Sequence, residues 1–133
     1  MRRSAEAERC GNSKGKGCYC NFRIHQVKKL DRLKGKVAIV TGGARGLGKH
    51  FCLALAQENA KVVVTDILAD SAEKTSLEIL AEGGQSIALN ADVTTESETI
   101  RMADETLKAF GRIDILVNNA ALFYGITRKP YQI

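Results

Sequence analysis

Four glycines stand close together in the segment VAIVTGGARGLGKHF, which runs from Val37 to Phe51. They follow an apolar run of strand length and precede a segment of helical period, at Gly42, Gly43, Gly46 and Gly48. Because glycine has no side chain, an anion can reach the backbone N–H groups at the start of the helix, where the partial positive charge favours it. Gly48 would also let the helix pack closely on the strand. The loop predicts a pyrophosphate site, with an ordinary glycine-rich turn as the alternative.

Polar residues end the other apolar runs of the sequence. Asp66 ends the second run, 20 residues beyond Gly46, which is the spacing of a ribose-binding acid in a dinucleotide site. The third run ends in NADV at residues 90–93, and the fourth ends in NNAA at residues 118–121. In open α/β sheets, ligands bind outside the carboxyl ends of the strands. The four run ends together therefore predict one dinucleotide site.

Strands alternating with helices must position these residues. The predicted strands are Lys36–Thr41, Lys61–Asp66, Ser86–Leu89 and Ile113–Asn118. This alternation implies parallel strands joined by helical crossovers. The predicted fold class is α/β, a Rossmann-type doubly wound parallel sheet truncated after the fourth strand, which is half of such a sheet.

The three predicted helices carry stripes and end signals. An apolar stripe on the first helix is formed by Leu47, Phe51, Ala54 and Leu55, and one on the third by Ile100, Ala103, Leu107 and Phe110. Capping-box pairs are predicted for the second and third helices, Asp70 with Glu73 and Thr95 with Glu98. The second helix should stop at Gly83-Gly84 and the third at Gly111, where a helix end favours a left-handed residue.

Residues 33 to 121 resemble the N-terminal half of the short-chain dehydrogenase/reductase family. TGGARGLG fits the family pattern Thr-Gly-x-x-x-Gly-x-Gly, and Asp92-Val93 and NNAA match its next two landmarks in the right order. The resemblance implies an NAD-dependent oxidoreductase that transfers hydride between a secondary alcohol or ketone and the nicotinamide. One residue departs from the pattern, because Ala121 stands where the family usually has glycine.

The resemblance also implies which residues contact the cofactor. The pyrophosphate would contact Gly42, Ala44, Arg45, Gly46 and Leu47. The adenosine ribose would contact Asp66 and Ile67, and the adenine would contact Asp92 and Val93. The ribose on the nicotinamide side would contact Asn119 and Ala120. For Asn118 it implies a bracing role in the central strands. NAD is predicted rather than NADP, because a 2′-phosphate would face the Asp66 carboxylate. The positive charge of Arg45 opposes this preference, because it could contact the 2′-phosphate of NADP. Ile67 offers no second cation for that phosphate.

No catalytic residue is predicted within this sequence. In the family an asparagine, a serine and a Tyr-x-x-x-Lys motif follow, with the tyrosine as acid/base. Tyr19 and Tyr124 are each followed four positions on by arginine instead. We therefore expect the 133-residue chain to be inactive by itself, and the complete enzyme to be a homo-oligomer acting on a small-molecule alcohol or ketone. A non-catalytic nucleotide-binding module is the alternative.

Charge separates residues 1–33 from the rest of the chain. Residues 1–36 hold 11 Lys/Arg against 3 Asp/Glu, whereas residues 37–133 hold 9 against 12. Residues 1–33 are predicted to be a basic, disordered extension, and 34–133 an incomplete NAD-binding domain. The cluster Cys10, Cys18, Cys20 and His25 fits zinc spacing poorly, so no metal is predicted, and nucleic-acid binding by the extension is disfavoured. Neither a secretion signal nor a run of membrane-helix length is seen, which together with the cysteine pattern predicts a cytoplasmic protein.

Overall fold

The computed structural model describes residues 31–121 as a four-stranded parallel sheet with helices on both faces. The strands are β1 (Val37–Thr41), β2 (Lys61–Asp66), β3 (Gln85–Asn90) and β4 (Ile115–Val117), and the helices are α1 (Gly46–Gln57), α2 (Ala69–Ala81) and α3 (Glu96–Phe110). The strand order is β3-β2-β1-β4, with every pairing parallel. The predicted fold class is therefore confirmed.

The two central strands are buried on both faces, as their continuous apolar sequences require. Along β2, Val62 and Val64 join a core cluster with α1 and α2, whereas Val63 joins a second cluster on the other face. This second cluster includes Met102 of α3. Because side chains alternate across a strand, one run of valines supplies both layers.

The apolar stripe predicted for α1 is largely wrong, since of its four residues only Leu55 packs against the core. The helix buries Gly48, Cys52 and Ala56, whereas Leu47 and Phe51 are exposed. Residues four apart share a helix face, and the small face packs inward because it lets α1 approach the sheet closely. Burial also raises the pKa of the Cys52 thiol to about 12.

The stripe predicted for α3 is also largely wrong. Met102 and Thr106 are buried on this helix, whereas Ile100 and Leu107 are about half exposed, at 56% and 46%. The Thr106 hydroxyl donates a hydrogen bond of 2.7 Å to the carbonyl of Met102, which satisfies it inside the core. A buried polar residue is thus accommodated on the face that α3 turns to the core.

Glycine marks the helix ends as predicted, but neither capping box forms. Gly83 and Gly111 follow α2 and α3 with φ of 80° and 78°, which is the left-handed conformation of a helix C-terminus. The N-cap of α2 is Leu68, so Asp70 lies inside the first turn. Thr95 is the N-cap of α3 without a side-chain cap bond, and Glu98 accepts the N–H of Asp92 at 2.5 Å instead.

A surface network at the entry of β4 anchors this strand to β1. One carboxylate oxygen of Asp114 accepts the N–H of Val37 at 2.9 Å and the Nε–H of Arg112 at 2.8 Å. Lys36 lies at the edge of the same group. The Arg112 guanidinium, aided by the Val37 N–H, lowers the pKa of Asp114 from 3.8 to about 2. Nothing in the sequence pattern indicated this contact.

The segment before β1 contacts the C-terminal end of α1. Arg32 forms an ion pair with Glu58, with 2.7 Å between Nη2 and Oε1, and the Leu33 N–H donates to the Glu58 carbonyl at 3.0 Å. The predicted extension therefore reaches the domain in its last residues, and the boundary at residue 33 stays a prediction. Residues 1–30, with the cysteine and histidine cluster, and residues 122–133, with Tyr124, lie outside the described part.

No helix within residues 31–121 is both long enough and apolar enough to cross a membrane.

Candidate functional site

A cavity of about 600 Å³ lies at the carboxyl ends of the strands. Its volume is within the range of about 300–1,000 Å³ that is usual for small-molecule sites. Its walls are formed by Gly42, Arg45, Gly46, Asp66, Ile67, Leu68, Ala91, Asp92, Val93, Thr94, Asn119, Ala120 and Ala121. The cavity thus brings together nine of the eleven residues predicted to contact the cofactor, from the exits of all four strands.

The two remaining predicted residues do not line this cavity. Ala44 is buried beneath the glycine loop with 6% of its surface exposed, whereas Leu47 is 71% exposed outside the cavity. Four further residues that the prediction left out form part of the wall: Leu68, Ala91, Thr94 and Ala121. Each of them directly follows or precedes a predicted residue, so the strand-end positions were the available signal.

Helix α1 begins at the cavity without any acidic side chain. Its N-cap, Arg45, makes no side-chain cap bond, and its first turn contains no Asp or Glu. The first turn of α3, by contrast, contains Glu96 and Glu98. The first N–H groups of a helix lack intrahelical acceptors and carry partial positive charge. In the described part of the chain, the start of α1 is therefore suited to an external anion.

Two glycines give this helix start its shape. Gly46 has a φ of +56°, which side chains rarely allow, and a Cβ built there would meet no atom within 4 Å. At Gly48 a Cβ would lie 2.6 Å from Asn119 Nδ2 and 2.8 Å from the carbonyl carbon of Gly42. Gly48 is therefore required for the close packing of α1 on the loop, while Gly46 leaves open space on the cavity side.

The carboxylate of Asp66 holds two backbone segments at the exit of β2. Its Oδ2 accepts the N–H of Ala44 at 3.0 Å, and its Oδ1 accepts the N–H of Leu68 at 3.0 Å. Asp66 is 9% exposed and lines the cavity. An ionised carboxylate offers about four acceptor positions, so two remain for hydroxyl donors after these bonds.

Asn90, at the end of β3, supports the same exit. Its side-chain amide donates to the carbonyl of Ile67 at 2.9 Å and to that of Asp66 at 3.3 Å. The backbone that carries two predicted ribose contacts is thus fixed from the neighbouring strand.

Asp92 is shaped by its own turn. Its Oδ1 accepts the N–H of Thr94 at 2.9 Å and the Thr94 hydroxyl at 2.7 Å. These two contacts, chiefly the one with the hydroxyl, hold the pKa of Asp92 below its ordinary value. Asp92 therefore stays an acceptor at neutral pH on the cavity wall.

Asn119, and not Asn118, braces the end of β1. The Nδ2 of Asn119 donates to the carbonyls of Thr41 and Gly42, each at 3.1 Å. The Thr41 hydroxyl accepts the N–H groups of Asn119 at 3.1 Å and Ala120 at 3.2 Å. Asn118, to which the resemblance gave this bracing role, is exposed. Side chains alternate along an extended chain, so a shift of one residue exchanges the two asparagines.

The side chains that line the cavity are suited to binding a charged, hydroxyl-bearing ligand. Its described titratable side chains are Arg45, Asp66 and Asp92, which supply one cation and two acceptors. With the helix start, this set can hold an anionic group beside a hydroxyl-bearing group. No serine, tyrosine, lysine or histidine lines the described part of the cavity.

The family model described as short chain dehydrogenase matches residues 36–132. The 7alpha-hydroxysteroid dehydrogenase of Escherichia coli strain K12 is 46% identical over 102 residues, which cover 77% of this chain and 39% of that protein. Sorbitol dehydrogenase of Cereibacter sphaeroides is 44% identical, over 75% of this chain and 40% of that protein. The chain thus spans about two fifths of the length of these curated relatives.

Solved structures give the same picture. A crystal structure of hydroxysteroid dehydrogenase from Escherichia coli superposes with a TM-score of 0.68 at 44% identity, covering 71% of this chain and 40% of the other. A 7α-hydroxysteroid dehydrogenase complexed with NADH and 7-oxo glycochenodeoxycholic acid gives a TM-score of 0.65 at 43% identity, covering 68% of this chain and 35% of that one.

Proposed function

The chain belongs to the short-chain dehydrogenase family, and on this premise we propose that it forms the cofactor-binding part of an NAD-dependent oxidoreductase. The substrate class proposed is a secondary alcohol or its ketone. Bound NAD would accept or donate the hydride, and the residues of this chain would bind and orient it. The observation that carries the proposal is the cavity at the four strand ends, which opens onto the uncapped start of α1.

The lining residues fit a dinucleotide in three places. Arg45 and the first N–H groups of α1 would hold the pyrophosphate, since both favour negative charge. The remaining acceptor positions of Asp66 would take the ribose hydroxyls. Asp92 and Val93 would border the adenine, and Asn119 and Ala120 the ribose on the nicotinamide side.

Asp66 favours NAD over NADP. It is nearly buried and accepts two N–H bonds, so a 2′-phosphate would meet a carboxylate that cannot move away. Like charges in contact cost several kcal/mol. Arg45 is the one cation on the described cavity wall that could oppose this repulsion.

Fluorescence titration of the full chain with NADH and NADPH tests this proposal. We expect NADH to bind at least ~30-fold more tightly, which corresponds to about 2 kcal/mol. Asp66→Asn removes the charge at nearly constant size and should reduce the difference between NADH and NADPH affinity. Asp104→Asn is the same change on the exposed face of α3 and should leave that difference unchanged. Equal affinities in the unmodified chain, or an unchanged preference in Asp66→Asn, would contradict the assignment.

The non-catalytic nucleotide-binding module remains the second candidate, because these 133 residues contain no Tyr-x-x-x-Lys. General acid–base catalysis contributes about 10²–10⁴-fold, so we expect NADH binding without alcohol or ketone turnover. Turnover by pure protein that Tyr124→Phe abolishes would show this expectation to be wrong. A genomic reading frame that continues into Tyr-x-x-x-Lys would favour the enzyme over the module.

Homo-oligomer assembly of the complete enzyme and a cytoplasmic location stay predictions of the sequence analysis.

A further inference from the structure

The backbone of Ala44 is held from both sides by buried side chains. Its N–H donates to Asp66 Oδ2 at 3.0 Å, and its carbonyl accepts the hydroxyl of Thr75 at 3.1 Å. Thr75 lies on α2 with 1% of its surface exposed, and Ala44 is 6% exposed. A third contact fixes the loop before it, because the Gly43 N–H donates to the Thr65 carbonyl at 3.0 Å.

Ala44 does not line the cavity, but the two residues after it do. Arg45 is the N-cap of α1, and Gly46 is the first residue of that helix. The backbone conformation of Ala44 therefore sets where the Arg45 backbone and the first free N–H groups of α1 lie. Thr75 is 31 residues away in sequence and belongs to none of the motifs that predicted the site.

We propose that Thr75 is a positioning residue, which holds the glycine loop in the conformation that binds the cofactor pyrophosphate. This inference rests on the proposed function. Its physical basis is pre-organisation: a loop that is already fixed loses less conformational freedom when the anion binds. Without the hydroxyl, the Ala44 carbonyl would lose its partner in a buried place, and the loop would shift or loosen to find another.

Thr106 provides a matched control within the same chain. Thr75 also lies 3.2 Å from the Ser71 carbonyl, four residues back, and Thr106 makes the same kind of bond to Met102 at 2.7 Å. Both threonines are buried in helices. Only Thr75 also reaches the glycine loop, so a comparison of the two separates the loop contact from the helix contact.

The test measures binding of ADP and adenosine to the full chain by competition with NADH. Thr75→Val keeps the side-chain shape, and we expect ADP to bind ~3- to 10-fold more weakly while adenosine affinity stays unchanged. Thr106→Val should leave both affinities unchanged. A further pair of variants, Thr75→Ser and Thr75→Ala, differs only in the hydroxyl. The serine variant should therefore retain the parent affinity for ADP, and the alanine variant should bind ADP as weakly as Thr75→Val does.

Several outcomes would overturn the inference. Unchanged ADP affinity in Thr75→Val, an equal loss for ADP and adenosine, or an equal loss in Thr106→Val would each reduce Thr75 to a general packing residue. If Thr75→Val does not fold, equal ADP affinities of the serine and alanine variants would overturn it. A parent chain that binds neither NADH nor ADP would instead refute the proposed function.

Discussion

Gly48→Ala should damage the fold and the site together, because the added methyl has no room. Its carbon would stand 2.6 Å from Asn119 Nδ2 and 2.8 Å from the Gly42 carbonyl carbon. Relief requires α1 to move away from the loop, and overpacking of this kind costs about 1–3 kcal/mol. The clash also displaces Asn119 from the carbonyls of Thr41 and Gly42, at about 1 kcal/mol for each lost bond.

Helix propensity partly offsets this cost, since alanine is better than glycine in a helix by about 1 kcal/mol. The net destabilisation expected is therefore ~2–4 kcal/mol. In a domain of this size each kcal/mol lowers Tm by about 4–8 °C, so the fall should be ~10–30 °C. Thermal unfolding followed by circular dichroism measures this change, and NADH titration at low temperature measures the site.

Gly111→Ala is the matched control for this substitution. Gly111 has a φ of +78° with no atom within 4 Å of a built Cβ, and it lies at the end of α3. A left-handed alanine costs about 1–2 kcal/mol, so this variant should lose stability with unchanged NADH affinity. Gly48→Ala should lose both. A Gly48→Ala protein with the parent Tm and NADH affinity would refute the packing argument.

Two further changes probe groups outside the cavity. The pKa of Asp114 in the folded protein lies below its unfolded value, so the stability that Asp114 contributes is present above about pH 4 and is lost as pH falls through about 2. In Asp114→Asn, Tm measured against pH should no longer show this loss. A profile that is unchanged in the variant would contradict the role of Asp114 in anchoring β4 to β1. The buried Cys52 thiol has its pKa raised to about 12, so with Cys10, Cys18 and Cys20 changed to serine a thiol reagent at pH 8 should label the protein only after unfolding. Rapid labelling of the native protein would refute this burial.

The arrangement of strands and helices could be predicted from the sequence because it depends on local periodicity. Continuous valine-rich runs indicate buried parallel strands, and alternation with helices limits the connections to a few arrangements. β2 matches its predicted range of Lys61–Asp66, and the helix stops at Gly83 and Gly111 are where the sequence placed them. Signals of this kind act within a few residues of where they stand.

The inward faces of the helices were not predictable in the same way. A stripe of large apolar residues normally indicates the buried side of a helix, yet α1 packs through Gly48, Cys52 and Ala56. The reason is that α1 lies close to the sheet and, at Gly48, to the glycine loop, so that small residues fit on this face. That distance is set by the sheet, and spacing along the helix carries no record of it.

The candidate site likewise has features that are predictable from the local sequence and features that depend on tertiary contacts. The positions of the glycine loop and of Asp66 at a strand end follow from the sequence alone, since strand ends and turn residues are local features. The contacts that fix the loop join Ala44 to Thr75 and Asp66, and Asp114 reaches Val37 across 77 residues. Only the packed tertiary structure decides such pairs, because a hydrogen bond forms only when donor and acceptor are placed to within a few tenths of an ångström, here on segments that are far apart in the chain.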